Sequence, residues 1–287
     1  METRATPAER ATMMGVTPHE PSQPAEVVLS GGFVNRVVRV GDTVRRPCGT
    51  WTPAVHALLR HLEVNDFGMA PRVLGVDEQG REVLTFIEGT PIGWTDWPSV
   101  MRSNDGVIQL ARVLRRYHDA VRSFVPAPDA SWRNPLAPTA GEVVRHGDFS
   151  PFNSIWSNGQ LVGVIDWDFA QPGYAISDLA YLAWYAVPLA GERRTNEYGF
   201  HAGIDRAERL GVLCEAYGRY APGEVVDEAV RIIEVECTQM QHLASQGLEP
   251  WASFVADGNL KAFSAETAWI RRNRRLFLTG GPPMLGG

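Results

Sequence analysis

Short apolar runs broken by glycine-bearing connections stand near the start of the chain and read as β-strands. Residues 26–30, 36–40 and 43–47 are rich in β-branched side chains, and Gly31-Gly32 and Gly41-Asp42 separate them. A two-residue connection such as Gly41-Asp42 between such runs predicts a hairpin. From Thr52 the apolar spacing becomes that of a helix. Val55, Leu58, Leu59 and Leu62 fall on one face, with Thr52 as the expected N-cap and Pro53 at the first helical position. Two more strands are predicted at 71–75 and 81–87, joined by a turn at 77–80. Glu88-Gly89-Thr90-Pro91 then breaks the pattern and reads as a linker. Beyond it the spacing predicts a long helix at 104–124, a Pro-rich loop at 126–138, a strand at 142–145, and strands at 154–156 and 161–165. Helices are expected at 177–187, 206–220, 224–246 and 260–276. No internal repeat is present.

This order divides the chain into a small β-rich lobe, residues 26–88, and a mainly helical lobe, residues 89–280. Residues 1–25 carry Pro7, Pro18, Pro21 and Pro24 without the apolar stretch of a secretory signal. They are expected to be a disordered leader, with Met13 or Met14 as the natural start. Of 287 residues, 44% are hydrophobic and 21% charged, an ordinary globular balance. The net charge of −6 argues against a dominant nucleic-acid surface. The acids gather late, at Glu224, Asp227, Glu228, Glu234, Glu236, Glu249 and Asp257. They read either as a solvated helix face or as an acidic wall that would attract a cationic substrate. Cys48, Cys214 and Cys237 form no Cys-x-x-Cys pair, which suits reduced thiols and a cytoplasmic protein. No apolar run approaches membrane-span length.

The candidate chemistry lies in two short segments. His146-Gly147-Asp148-Phe149-Ser150-Pro151-Phe152-Asn153 is followed by Val164-Ile165-Asp166-Trp167-Asp168. An Asp, an Asn five residues later and a further Asp are what phosphoryl transfer from a nucleotide needs. One carboxylate takes the proton of the attacking hydroxyl, and an amide oxygen and a second carboxylate hold magnesium against the phosphates. A lone Asp after a strand is usually a turn or capping residue, but that reading leaves the spacing to Asn153 and Asp166 unexplained.

The segments resemble the protein-kinase catalytic loop and its Asp-led metal motif, with Gly147 where a kinase has Arg. In this form they resemble the aminoglycoside phosphotransferase and choline kinase family of small-molecule kinases, over about residues 27–277. The resemblance implies a bilobal protein-kinase-like α+β fold, with a small β-rich N-lobe and a mainly helical C-lobe. It makes Asp148 the catalytic base and Asn153 and Asp166 the magnesium ligands. Asp168 is left open between a second ligand and an orienting residue. His146 is expected under the loop, bonded to backbone, and Asp178 as support for the loop. His118 is expected to be a buried, satisfied histidine.

Gly31, Gly32, Phe33 and Asn35 stand where kinases keep a glycine-rich loop over the phosphates. The backbone of Thr85 and Ile87 stands where adenine docks. The phosphate-pairing lysine is missing, since Lys261 is the only lysine. The resemblance puts Arg45 in its place, with Arg46 as the alternative; guanidinium can serve phosphate equally. The helix that normally supplies the lysine's Glu has Val55 at that position, and His56 beside it is a candidate for reaching the phosphates. The implied activity is transfer of the γ-phosphoryl of ATP or GTP to a hydroxyl of a small molecule, with magnesium. An antibiotic acceptor, of cationic character, is the leading expectation, in resistance or self-protection. A metabolic kinase acting on choline, an amino sugar, homoserine or fructosamine is the alternative. A nucleotide-binding pseudokinase or immunity protein is the alternative of another class. No nucleic-acid or membrane partner is expected.

Overall fold

The Gly41-Asp42 hairpin turns the first sheet. A computed structural model describes residues 25–29, 37–138, 140–200 and 203–279. In it β1 (Val27–Val28), β2 (Val38–Val40), β3 (Thr43–Pro47), β4 (Val73–Val76) and β5 (Arg81–Thr85) form one antiparallel sheet in the order β1-β2-β3-β5-β4. Strand β5 alternates buried and half-buried positions, so Glu82 and Leu84 point inward. Helix α1 (Thr52–Val64) buries Val55, Leu58, Leu59 and Leu62. It begins one residue earlier than its composition predicts. Trp51 holds the cap position, and the Thr52 hydroxyl instead accepts the Gly49 N–H at 2.9 Å.

The expected linker is partly structured. Strand β6 (Thr90–Pro91) pairs with β8 (Ser154–Ser157), which pairs with β9 (Gln160–Val164), so the crossing chain is stitched into the C-lobe. Gly89 makes this possible. Its φ is 150°, and a Cβ there would lie 2.7 Å from the Trp156 carbonyl oxygen.

Helix α2 (Ser99–Arg102) is a single turn before α3 (Asn104–Ala120), which buries Leu110, Ala111, Leu114 and Tyr117 and tightens into a 3-10 turn at Val121–Ser123. Strand β7 (Val143–Arg145) carries the chain into the His146–Asn153 loop and pairs with β10 (Gln171–Gly173), just after Asp168. Helix α4 (Ala175–Ala186) is buried on nearly every side, as its apolar composition demands. Around it lie α5 (Glu192–Glu197), α6 (Arg206–Tyr217), α7 (Pro222–Ser245), α8 (Trp251–Ala256), α9 (Asn259–Arg272) and α10 (Arg274–Thr279). The helix expected at 260–276 breaks at Asn273, whose side-chain amide donates back to the Trp269 carbonyl. Among the described residues, no helix is long and apolar enough to cross a membrane. The fold is a β-rich N-lobe on a helical C-lobe.

Candidate active site

The loop after β7 is held from beneath by α4. Asp178, in the first turn of that helix, accepts the backbone N–H groups of His146 (2.8 Å) and Gly147 (3.1 Å). His118 Nε2 contacts the same carboxylate at 3.2 Å, and its Nδ1 meets the Tyr217 hydroxyl at 2.8 Å. Burial works to raise the Asp178 pKa. The His118 hydrogen bond and the Arg145 charge outweigh it and hold the carboxyl below its ordinary value.

His146 is fully buried. Its Nε2 donates to the Ile165 carbonyl at 3.1 Å, and its Nδ1 accepts the Asp148 N–H at 3.3 Å. Burial pushes its pKa down, so the ring is a neutral brace between the two motif segments. Gly147 explains the absence of an arginine there. Its φ is 82°, and a Cβ would come within 2.0 Å of the Phe169 carbonyl oxygen.

Asp148 and Asn153 face each other across the 3-10 turn Pro151–Asn153. Asn153 Nδ2 donates to both the Asp148 carbonyl (2.9 Å) and its Oδ2 (2.8 Å), which turns the amide Oδ1 away from the carboxylate. The Asn153 carbonyl in turn accepts the Ile165 N–H at 2.9 Å, fixing the loop beside Asp166. Asp166 has left-handed backbone, φ 61° and ψ 67°, and its side chain is 43% exposed. A non-glycine residue in that region costs on the order of 1–3 kcal/mol, and such strain collects at functional positions. Burial and the nearby Asp166 charge push the Asp148 carboxyl up to about 7, against hydrogen bonds from Tyr181 and Asn153 that favour its anion.

The two arginines of β3 separate by face. Arg45 points outward, with one 3.4 Å contact to Asp77. Arg46 points inward. Its Nε donates to Glu82 at 2.6 Å, one terminal nitrogen to Asp168 at 2.7 Å, and the other lies 3.4 Å from Asp166. The register expected for Arg45 is therefore off by one, because inward-facing Glu82 on the paired strand β5 selects Arg46 as its cross-strand partner. His56 does not reach toward phosphates. Its Nε2 lies 2.8 Å from the second Glu82 oxygen. Glu82, on a strand, thus holds Arg46 with one oxygen and meets His56 with the other. Burial opposes the Arg46 charge, and Asp168, Glu82 and Asp166 together overcome it and raise its pKa.

Both oxygens of Asp168 are committed, one to Arg46 and the other to Arg133 at 2.8 Å. Arg133 comes from the Pro-rich loop, lies over the rings of Trp51 and Phe169, and has no signature in the sequence. That leaves Asp166 and the Asn153 Oδ1 as the hard oxygen donors that suit a magnesium ion. Among the described residues, no group of three or more His, Cys, Asp or Glu side chains is arranged to hold a metal. One carboxylate and one amide fit an ion that takes its remaining ligands from phosphate and water.

In the N-lobe, Gly31, Gly32, Phe33 and Asn35 lie outside the described residues. Thr85 has its N–H on the Arg72 carbonyl (3.0 Å) and its hydroxyl under the Arg72 N–H (2.9 Å). Ile87 packs against Gly163 of β9, at the junction of the lobes.

The late acids do not line a common wall. Asp227 pairs with Arg274, Glu228 with Arg231, and Glu234 with Arg271, while Glu224 caps the start of α7. Glu228 and Glu236 turn toward α4. Ser177 of α4 meets Glu228 of α7; two turns further along α7, Glu236 reaches the neighbourhood of Tyr181 and Tyr185, one and two turns further along α4, and of Asp148. Burial pushes its carboxyl up to about 8.

A model of the phosphotransferase enzyme family matches residues 127–212, which span the catalytic loop, Asp166 and Asp178. The trifolitoxin immunity protein of Rhizobium leguminosarum bv. trifolii is 36% identical over 212 residues, 71% of this chain and 79% of that protein. A choline/ethanolamine kinase family protein from Mesorhizobium loti superposes with a TM-score of 0.54 at 17% identity, covering 92% of this chain and 98% of its own. An ADP-bound aminoglycoside phosphotransferase superposes with a TM-score of 0.57 at 14% identity, over 87% and 95% of the two chains. The last two likenesses show the kinase-like fold alone. The family match over the catalytic segment and the sequence match over most of a relative's length show that the chain belongs to the phosphotransferase enzyme family.

Proposed function

We propose that the protein transfers the γ-phosphoryl group of ATP or GTP to a hydroxyl of a small molecule, in the service of antibiotic immunity. The observation that carries this reading is the pairing of Asp148, oriented by Asn153, with the half-exposed, left-handed Asp166 beside it. Asp148 accepts the proton of the acceptor hydroxyl. The freed oxygen bonds to the γ-phosphorus as the bond to the bridging β,γ-oxygen breaks, and the nucleoside diphosphate leaves. Asn153 Oδ1 and Asp166 would hold magnesium, which supplies charge neutralisation along the phosphates. Arg46 positions Asp166 and Asp168 from above, and Asp178 and His146 hold the loop from below.

The immunity role is supported by the relative named for protection against trifolitoxin. A cationic acceptor, the expectation drawn from the acid-rich third, would find Glu236 as the late acid that neighbours the base.

The test is magnesium-dependent transfer from radiolabelled γ-phosphoryl ATP and GTP to an antibiotic panel, with Asp148→Asn alongside. Loss of the general base should lower kcat by ~10²–10⁴ while nucleotide binding persists. Wild-type turnover in Asp148→Asn would sink the mechanism. Nucleotide binding without transfer to any acceptor would favour a binding-type immunity protein.

A further inference from the structure

A continuous aromatic wall leads from the surface to Asp148. Trp94, in the segment after β6, is 52% exposed and stacks on Phe152 with ring centroids 3.8 Å apart. Phe152 shares its 3-10 turn with Asn153, so its place beside the base is fixed by the chain itself. Its ring meets Tyr185 edge-on at 5.3 Å, and Tyr185 lies 5.5 Å from Tyr181, whose phenol approaches the Asp148 carboxyl. Trp97 and Tyr198 back Phe152 at 6.1 and 6.2 Å.

We propose that this wall receives the acceptor, and that the acceptor is an uncharged hydroxyl compound bearing an aromatic or conjugated ring, stacked against Trp94 and Phe152. The inference rests on the reading of Asp148 as the base. Aromatic walls reward flat, polarizable partners in offset or edge-on geometry. A bare sugar ring can pack only its C–H face there, with less polarizable contact than a flat aromatic ring. A polycation would need ionised carboxylates, and of the late acids Asp227, Glu228 and Glu234 are already paired with arginines while Glu224 caps α7. Glu236 is pushed up to about 8 and is mostly neutral at pH 7.

A quaternary ammonium could also sit on ring faces, so the test must separate it. Isothermal titration calorimetry uses the full chain with magnesium and a non-hydrolysable ATP analogue. The probes are 4-nitrophenyl β-D-glucopyranoside, methyl β-D-glucopyranoside, choline and kanamycin. The aryl glucoside should bind at least ~10-fold more tightly than the methyl glucoside, the order of one good ring contact. Trp94→Ala should erase that advantage, and Trp94→Phe should retain most of it. Equal binding of the two glucosides, an unchanged ratio in Trp94→Ala, or tighter binding of choline or kanamycin overturns the inference. Magnesium-nucleotide binding is read first in the same sample. Failure there overturns the phosphotransferase reading instead, whereas success there with failure of the aryl probe overturns only this proposal.

Discussion

Replacing Arg46 with methionine keeps the apolar stem of the side chain and removes its guanidinium and charge. The guanidinium sits against three carboxylates and its side chain is 10% exposed, while those of Glu82 and Asp168 are 2% and 4% exposed. Without it, Glu82 keeps His56 and Asp168 keeps Arg133, but the charge between them is gone. Breaking a buried pair by removing one partner costs about 3–5 kcal/mol. For a chain of this size each kcal/mol moves Tm by ~2–4 °C, so a fall on the order of 6–20 °C is expected. Arg45→Ala removes a 3.4 Å contact from a side chain that is 29% exposed. Screening limits such a pair to ~0–1 kcal/mol.

The difference should also depend on pH. In the wild type, burial raises the Glu82 pKa, but the His56 hydrogen bond and the Arg46 charge hold it below the unfolded value. Its contribution to stability is therefore present above the ordinary carboxylate pKa and is lost as pH falls through the folded one. In Arg46→Met the stranded carboxyls can take up protons instead, so the gap between the two proteins should be widest near pH 7–8 and shrink toward pH 4–5. Thermal melts across that range, with calorimetric binding of magnesium-nucleotide at pH 7.5, measure both effects. Equal melting shifts in Arg45→Ala and Arg46→Met, or a gap that ignores pH, would refute the assignment of Arg46 to the buried frame.

Three further outcomes are expected. Because the folded Asp148 carboxyl titrates at about 7, above its unfolded value, its ionisation is a cost that grows as pH rises past the ordinary carboxylate range. At pH 8 that cost is at most ~4 kcal/mol; Asp148→Asn should then melt higher than wild type at pH 8 but not at pH 4, and wild-type kcat/KM should rise through about pH 7. Asp166→Ala should weaken magnesium-nucleotide binding in calorimetry, and Asn153→Ala should do so more mildly; unchanged affinity in Asp166→Ala would remove it from the metal site. Gly147→Ala should cost at least ~2 kcal/mol in denaturant unfolding, since the added methyl meets the Phe169 carbonyl at positive φ.

Those residues were unequally visible in the chain. Asp148, Asn153 and Asp166 stand out because their chemistry depends on spacing within one strand-loop-strand segment, and spacing is written in sequence. The hairpin strands were legible from β-branched runs on either side of Gly41-Asp42, and α1 from a period of 3.6 sustained from Val55 to Leu62. Helices α2, α5 and α8, of 4, 6 and 6 residues, are too short for a period to declare itself. Strand β10, Gln171-Pro172-Gly173, has loop composition and is a strand only because β7 lies beside it. The choice between Arg45 and Arg46 turned on which face of β3 is inward, and that is set by Glu82 on another strand. A charged residue at an inward position of an alternating strand was the one available signal. Arg133 gave none, because nothing local marks one arginine in a Pro-rich loop as the partner of Asp168.

The missing lysine and helix glutamate were also not two independent losses. In the usual arrangement a strand cation is positioned by an acid on the neighbouring helix. Here Arg46 of β3 donates to Glu82 of β5, and α1 contributes His56 to the second carboxylate oxygen. Arg46 and Glu82 are then cross-strand neighbours in one sheet, so their distance is set by strand pairing rather than by where α1 sits. Motion of α1 can break the His56 contact without releasing Arg46 from Asp168. Positioning of the Asp166-Trp167-Asp168 segment is in this way tied to the N-lobe sheet through Arg46 and to the Pro-rich loop of the C-lobe through Arg133, so both lobes grip one carboxylate two residues beyond the metal-binding candidate.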